Sequence, residues 1–134
     1  KIYIDDYAHH PNEINSIYNS VKTLYPNKRK LVIFQPHLFS RTKDFLVEFA
    51  KSLEKFDKIA LLDIYPAREK PIKGISSKSI FDKINNKHKA LIDKSDISKL
   101  LLDDDYELVI SMGAGDIGDL VESIKQTIID QNEN

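Results

Sequence analysis

Four polar turns hold the side chains of this 134-residue chain that could bind a ligand or do chemistry. The first, residues 5–11, reads Asp-Asp-Tyr-Ala-His-His-Pro and so places two carboxylates beside two imidazoles. It follows a strand-like segment and precedes apolar residues at helical spacing, which indicates a strand-to-helix turn. Ligands of parallel α/β sheets bind just beyond the carboxyl ends of the strands, so this turn is a candidate site.

The acidic and histidine residues of the first turn allow three interpretations. Imidazole and carboxylate groups suit zinc or iron, but adjacent histidines at a turn seldom point to one centre, so we predict no metal site. His9 and His10 could instead cap backbone groups, or make polar contacts to a ligand. Asp6 could accept hydrogen bonds from a ribose diol, as carboxylates at strand ends do in nucleotide-binding folds.

The second turn, residues 35–42, reads Gln-Pro-His-Leu-Phe-Ser-Arg-Thr and combines an imidazole, a hydroxyl and a guanidinium. Arg41 could hold a carboxylate or phosphate through two parallel N–H bonds, a geometry that lysine cannot copy. The alternative is an ordinary helix start, because Ser40 and Thr42 belong to the favoured capping types.

The third turn, residues 63–74, contains two prolines and a glycine and is longer than most connections in compact domains. It is therefore a candidate functional loop. Within it, Arg68 and Glu69 could pair with each other at the surface or reach over the site.

The fourth turn carries Gly113, Gly115 and Gly118, which match the dinucleotide pattern GxGxxG. The match lies at the last strand, and no acidic strand end follows at the required distance. We therefore predict a tight turn with close backbone approach to a shared ligand rather than a dinucleotide cofactor site. Asp116 is expected to cap the helix that follows.

Strand-like and helix-like segments alternate along the whole chain, which predicts a three-layer α/β/α, Rossmann-like fold. We expect a single domain over residues 1–134 and a mainly parallel sheet of about five strands, with all four turns at one edge. The predicted strands are residues 1–4, 30–35, 58–62, 87–93 and 106–111. The predicted helices begin near residues 11, 42, 76, 95 and 117, the second running to about residue 56 and the last fraying from residue 130.

Composition excludes several classes of function. The 20 Lys and Arg residues nearly balance the 21 Asp and Glu residues, so no net field favours nucleic acid or an anionic membrane. The sequence shows no apolar run of about 18 residues and no signal peptide, and it has no cysteine, so a cytoplasmic protein is expected. Because the chain begins at Lys1 inside a predicted strand, we expect it to be a piece of a longer protein.

The common catalytic motifs are missing from the sequence. It contains no GxxxxGK[ST] loop, no GxSxG elbow and no cysteine nucleophile. The four turns thus offer groups that could bind and orient a ligand, but they contain no recognisable set of catalytic residues.

The four turns together resemble the C-terminal domain of the Mur ligases. The likeness lies in residues 5–11, in residues 34–37 with 40–42, in Asp-Ile-Tyr-Pro-Ala-Arg-Glu at residues 63–69, and in Gly-Ala-Gly-Asp at residues 113–116. These segments occur in the order of the family and span nearly the whole chain. The Phe-Gln-Pro-His form of the second turn favours the members that join L-alanine to UDP-N-acetylmuramate.

The resemblance implies an ATP-dependent ligase that forms an amide through an acyl phosphate in peptidoglycan synthesis. It implies that a central domain supplies the P-loop and the Mg²⁺ ligands, that an N-terminal domain binds the UDP-sugar, and that this domain closes over the site and is inactive alone. It further implies that Asp6 and Tyr7 bind the nucleotide and that Gly113, Gly115 and Asp116 shape the site. The residues implied to bind the amino acid are His9, His10, His37, Arg41, Tyr65 and Arg68.

The sequence departs from the family pattern in two places. Leu38 stands where many members have arginine, so Arg41 would hold the substrate carboxylate alone. The antiparallel edge strand with which the family domain usually opens is also missing. The alternatives are a Mur ligase that recycles muropeptides, a stand-alone nucleotide-binding or small-molecule-binding α/β module, and a metal-dependent hydrolase that uses His9 and His10.

Overall fold

A computed structural model describes residues 1–133 and confirms the predicted α/β class. One sheet contains β1 (Ile2–Asp6), β2 (Lys30–Phe34), β3 (Lys58–Leu61), β4 (Lys89–Leu91) and β5 (Leu108–Met112). The strands lie in the order β1-β5-β2-β3-β4, and every neighbouring pair is parallel. The carboxyl ends of all the strands therefore meet at one edge of the sheet, as the alternation of elements predicts.

Helices cover both faces of the sheet. They are α1 (Pro11–Leu24), α2 (Phe39–Asp44), α3 (Leu46–Leu53), α4 (Ser77–Phe81), α5 (Ile97–Leu100) and α6 (Val121–Glu133), with short 3₁₀ helices at Lys94–Asp96 and Asp116–Leu120. Buried residues of α1, α3 and α4 share one apolar cluster, whereas those of α5 and α6 belong to a second cluster on the opposite face. These two clusters make the predicted three layers.

The central strand β2 is buried over its whole length. Val32 and Phe34 pack with α1 and α3 on one face, while Leu31 and Ile33 pack with α5 and α6 on the other. Burial of each such side chain contributes about 1.5–3 kcal/mol, so β2 is a firm anchor for the turn that follows it.

The helix predicted from residue 42 to 56 is two helices in the structure. It begins earlier, at Phe39, and is interrupted at Phe45, whose φ of −119° and ψ of 30° are not helical. The Phe45 N–H still donates to the carbonyl of Arg41, and its own carbonyl accepts from Phe49. The apolar spacing continues across the interruption for that reason, and spacing alone could not reveal it.

Most other element boundaries lie within two residues of the prediction, but the last helix, predicted from near residue 117, opens as the 3₁₀ helix Asp116–Leu120 and continues as α6 only from Val121. Ser76 is the N-cap of α4 and forms a capping box with Ser79, which agrees with the helix start predicted near residue 76. The segment predicted as a helix from residue 95 opens as the 3₁₀ helix Lys94–Asp96 and continues as α5. Helix α6 extends through Glu133, past residue 130 where fraying is expected from the sequence, and residue 134 lies outside the described range.

Gln35 joins the carboxyl ends of β2 and β5. Its Nε2 donates to Asp116 Oδ1 at 2.6 Å, and its Oε1 accepts from the Ile117 N–H at 2.9 Å. The prediction that Asp116 caps the last helix is wrong, because Asp116 is itself the first residue of the 3₁₀ helix Asp116–Leu120 and bonds to Gln35 and Lys94. Gln35 satisfies the Ile117 amide instead.

Glycine is required where the turn after β5 passes its neighbours. A Cβ on Gly115 would lie 2.6 Å from Gln35 Oε1 and 2.6 Å from Tyr65 Cβ, and a Cβ on Gly113, whose φ is +150°, would lie 3.0 Å from the Gln35 carbonyl. The close backbone approach predicted from the glycines is thus made to the second and third turns of the chain itself.

These contacts predict the effect of adding a methyl group. Gly115→Ala should lower the free energy of unfolding by about 1–3 kcal/mol, because Gln35 and Tyr65 must move to admit the Cβ. Gly118→Ala is the matched control, since nothing lies within 4 Å of its Cβ position, and should change stability by less than about 0.5 kcal/mol. Urea unfolding of the 134-residue chain measures both, and equal effects would contradict the packing described.

Candidate functional site

The turn after β1 lies against the turn after β5. The Gly113 N–H donates to the Asp6 carbonyl at 3.3 Å, and Asp6 Oδ1 accepts from the Ala8 N–H at 2.9 Å, which closes an Asx turn. Ala8 is buried, whereas Tyr7 is 69% exposed. The structure thus uses one carboxylate oxygen of Asp6 to shape the backbone and presents the Tyr7 ring to solvent.

The adjacent histidines point to different neighbours. The His9 ring makes edge contacts with Tyr7 at 5.6 Å and with His37 at 6.0 Å between ring centroids. The His10 ring instead packs on Phe45 at 4.8 Å, and its Nδ1 accepts from the Asn12 N–H as the N-cap of α1. His9 therefore joins the second turn, while His10 has the capping role that the sequence left open.

The turn after β2 contains a backbone conformation that non-glycine residues rarely adopt. Leu38 has φ of 73° and ψ of 136°. Its N–H donates to the Tyr65 carbonyl at 2.8 Å, and its carbonyl accepts from the N–H and the hydroxyl of Thr42 at 3.2 and 2.9 Å. Such a conformation costs on the order of 1–3 kcal/mol and persists only where surrounding contacts impose it, typically near functional groups.

Arg41 and His37 form the polar centre of this turn. Arg41 Nη1 lies 3.2 Å from His37 Nδ1. Three effects lower the pKa of His37 below its usual value: burial is the largest, followed by the charge of Arg41 and then by His9. Glu69 opposes them with a smaller effect that raises the pKa. A neutral imidazole at pH 7 can accept a hydrogen bond at Nδ1, so the pair is held together with the guanidinium as donor.

The turn after β3 places an aromatic ring against His37. The Tyr65 ring stacks on the His37 ring, with centroids 5.6 Å apart and an interplanar angle of 20°. The Tyr65 N–H donates to the Pro36 carbonyl at 2.8 Å, so that the second and third turns are joined by backbone bonds in both directions. The Tyr65 ring is therefore fixed in position relative to Arg41.

The structure distinguishes the neighbours Arg68 and Glu69, whose roles the sequence left open. Arg68 is exposed, and none of the ion pairs among residues 1–133 includes it. Glu69 accepts from the N–H and the hydroxyl of Ser40, and the hydroxyl bond is the main cause that lowers the pKa of Glu69. Glu69 thus bonds to the second turn, and Arg68 does not form an ion pair with Glu69.

The turn after β5 borders a separate cleft. Asp116 Oδ2 forms an ion pair with Lys94. Burial by itself raises the pKa of Asp116, but the hydrogen bonds from Lys94 and Gln35 together lower it further, so the pKa lies below its usual value. A cleft of about 310 Å³ is lined by Gln35, residues 62–66, residues 92–94 and Asp116. Tyr65 and Asp116 are therefore cleft residues, whereas His9, His37 and Arg41 lie outside its lining.

Two residues that organise the site, Gln35 and Lys94, were not singled out from the sequence, and a third, Ser40, was named only as a possible helix cap. Gln35, Ser40 and Lys94 make long-range bonds to Asp116 or Glu69. Gln35 and Ser40 were signalled by their position in a polar turn and Ser40 also by its capping residue type, whereas Lys94 had no signal. Their partners are 22 to 81 residues away, which local spacing cannot reveal.

Two classes of site are not found in the part of the chain that the structure describes. Residues 1–133 contain no group of three or more His, Cys, Asp or Glu side chains arranged to hold a metal ion. Over the same residues, no helix combines the length and apolar character needed to cross a membrane.

Comparison with known proteins gives a consistent result. The family model described as "Mur ligase, glutamate ligase domain" matches residues 1–117. Two curated relatives, both described as UDP-N-acetylmuramate--L-alanine ligase, are 56% identical over 96% of this chain in Christiangramia forsetii and 48% identical over 97% in Parabacteroides distasonis. The chain spans 28% of the length of each of them.

A solved structure shares the fold. It is a murein peptide ligase from Psychrobacter arcticus, with a TM-score of 0.71, 18% identity, and coverage of 93% of this chain and 27% of that chain. Because the family model covers most of the residues and the expected turns occur in order at one sheet edge, the chain belongs to the Mur ligase family, as its C-terminal, glutamate ligase domain.

Proposed function

We propose that this chain is the amino-acid-binding and closing domain of an ATP-dependent ligase that joins L-alanine to UDP-N-acetylmuramate. The observation that carries the proposal is the state of Arg41, whose guanidinium lies 3.2 Å from a neutral imidazole and takes part in none of the ion pairs among residues 1–133. The names of relatives at 48–56% identity supply the identity of the substrates.

In the proposed amino-acid site, Arg41 binds the carboxylate of L-alanine. His37 orients the guanidinium through Nδ1, and the rings of His9 and Tyr65, which both contact the His37 ring, lie beside it. His10 acts indirectly by starting α1, and the exposed Arg68 would reach the substrates only in the closed state. An arginine can hold a carboxylate through two parallel bonds, which makes one residue sufficient where Leu38 replaces a second arginine.

In the proposed nucleotide site, Asp6 and Tyr7 contact ATP. The carboxylate of Asp6 keeps Oδ2 for a ribose hydroxyl while Oδ1 holds the Asx turn, and the exposed ring of Tyr7 offers a flat surface to the nucleoside. Gly113, Gly115 and Asp116 hold the neighbouring turn in place.

The complete reaction needs groups that lie outside this chain. In the proposed enzyme of three domains, of which residues 1–134 form one, ATP phosphorylates the muramyl carboxylate and releases ADP. The amine of L-alanine then attacks the acyl phosphate, and phosphate leaves as the amide forms. We assign the triphosphate and Mg²⁺ contacts to a central domain and the UDP-sugar to an N-terminal domain, and the use of ATP points to the cytoplasm. Closure would exclude water, which otherwise hydrolyses acyl phosphates, and would complete the site.

The role of Arg41 can be tested in the full-length ligase. Arg41→Ala should raise the KM for L-alanine by about 10- to 100-fold, the loss expected for a charge-assisted hydrogen bond, and leave the KM for ATP within about two-fold. Arg29→Ala is the matched control, because Arg29 precedes β2 at the opposite edge of the sheet and lies over Tyr106. Steady-state kinetics with each substrate varied gives both constants, and equal effects on the two would contradict the role.

The role of Asp6 requires a variant that keeps the turn. Asp6→Asn retains an oxygen that can accept from the Ala8 N–H but loses the charge, so the KM for ATP should rise by about ten-fold with little change for L-alanine. Asp5→Asn is the control, since its oxygen can still accept from Ser111. Unchanged ATP kinetics in Asp6→Asn would remove the ribose assignment.

The lowered pKa of His37 predicts a pH dependence of L-alanine use. As the pH falls below the usual histidine range and His37 becomes protonated, Nδ1 can no longer accept from Arg41 and two positive charges repel, so kcat/KM for L-alanine should decrease. His37→Asn offers an acceptor that does not titrate, and its profile should lack this acidic decrease. An identical acidic limb in the two proteins would assign the effect to another group.

A further inference from the structure

The short helix that carries Arg41 receives its N-terminal cap from a distant residue. Helix α2 has only six residues, and its N-cap Leu38 provides no side-chain hydrogen bond. Glu69, 29 residues away, accepts from the Ser40 N–H at 3.1 Å through Oε1 and from the Ser40 hydroxyl through Oε2. The first turn of α2 is therefore held by the turn after β3.

This bond determines where Arg41 lies. A helix of six residues is not stable by itself in water, so tertiary contacts must hold it. Just before α2, the Leu38 N–H bonds to the Tyr65 carbonyl, and in its first turn the Ser40 N–H and hydroxyl bond to Glu69. Arg41 follows Ser40 directly, so the start of its side chain is fixed by these contacts.

The same bond controls the charge around Arg41. Glu69 is close enough for the positive charge of Arg41 to help lower the pKa of the Glu69 carboxyl, and an unrestrained carboxylate there could pair with the guanidinium. Ser40 engages both oxygens of Glu69, and no ion pair within residues 1–133 joins Glu69 to Arg41. The guanidinium stays available for an external carboxylate.

We infer that Glu69 is a positioning residue for the amino-acid carboxylate: by capping α2 through Ser40, it holds Arg41 beside His37 without pairing with it. The inference rests on the proposed function, since it assigns to Arg41 the carboxylate of the amino acid. Glu69 itself contacts neither substrate in this arrangement.

The test uses the full-length ligase and substitutes each partner of the hydrogen bonds between Glu69 and Ser40 in turn. Glu69→Gln, which loses the negative charge that strengthens both bonds, and Ser40→Ala, which removes the hydroxyl, should each raise the KM for L-alanine on the order of ten-fold, because a misplaced guanidinium loses much of its binding energy. The KM for ATP should stay within about two-fold of wild type in each. The double variant should be no worse than the more impaired of the two single variants, because both substitutions weaken the same interaction.

Two further variants separate positioning from general damage. Ser40→Thr keeps the hydroxyl and should restore the wild-type KM for L-alanine. Glu122→Gln, on the exposed face of α6, makes the same chemical change away from the site and should have wild-type constants. If Glu69→Gln does not fold, Ser40→Ala with Ser40→Thr still tests the bond.

The outcomes distinguish this inference from the proposed function. A raised KM for L-alanine in Arg41→Ala, with wild-type values in Glu69→Gln and Ser40→Ala, would overturn the positioning role alone. An unchanged KM for L-alanine in Arg41→Ala would overturn the proposed function. The positioning role would also be overturned if Ser40→Thr were as impaired as Ser40→Ala. The same holds if Glu69→Gln changed the KM for L-alanine and the KM for ATP equally.

Discussion

The parallel direction of all five strands is the constraint on which the site depends. Parallel strands need crossover connections, so each strand ends at the same edge and each following turn begins there. The turns after β1, β2, β3 and β5 are far apart in sequence, yet hydrogen bonds join them pairwise at this edge. Any change in strand direction would separate the groups that make the candidate site.

Within this edge, bonds between turns determine the positions of the functional side chains. Gln35 joins the turns after β2 and β5, and Glu69 joins the turns after β2 and β3. The strained backbone of Leu38 lies between these two links and is held by Tyr65 and Thr42. The turn with Arg41 is thus fixed from several directions, which limits the entropy lost when a ligand binds.

The candidate site offers several groups that can bind a ligand. It presents a guanidinium, imidazole and phenol rings, and a carboxylate with one oxygen unused by the backbone. None of these is arranged as a nucleophile with an adjacent base of the kind that covalent catalysis requires. These groups suit the role proposed above, in which the domain binds an amino acid and a nucleotide and closes against a second domain.

Periodicity and turn composition predicted the α/β class, the five strands and the common edge of the four turns, because apolar spacing and the polar ends of strands are local properties of the chain. They also identified Asp6, His9, His37 and Arg41 as candidates, and the resemblance to the Mur ligase family added Tyr65. Only the tertiary structure decided that His10 turns to Phe45, that α2 and α3 are separate, and that Gln35 rather than Asp116 serves the Ile117 amide. Those outcomes depend on contacts between residues up to 82 positions apart, which arise only when the parallel sheet brings the turns together, and no local pattern encodes them.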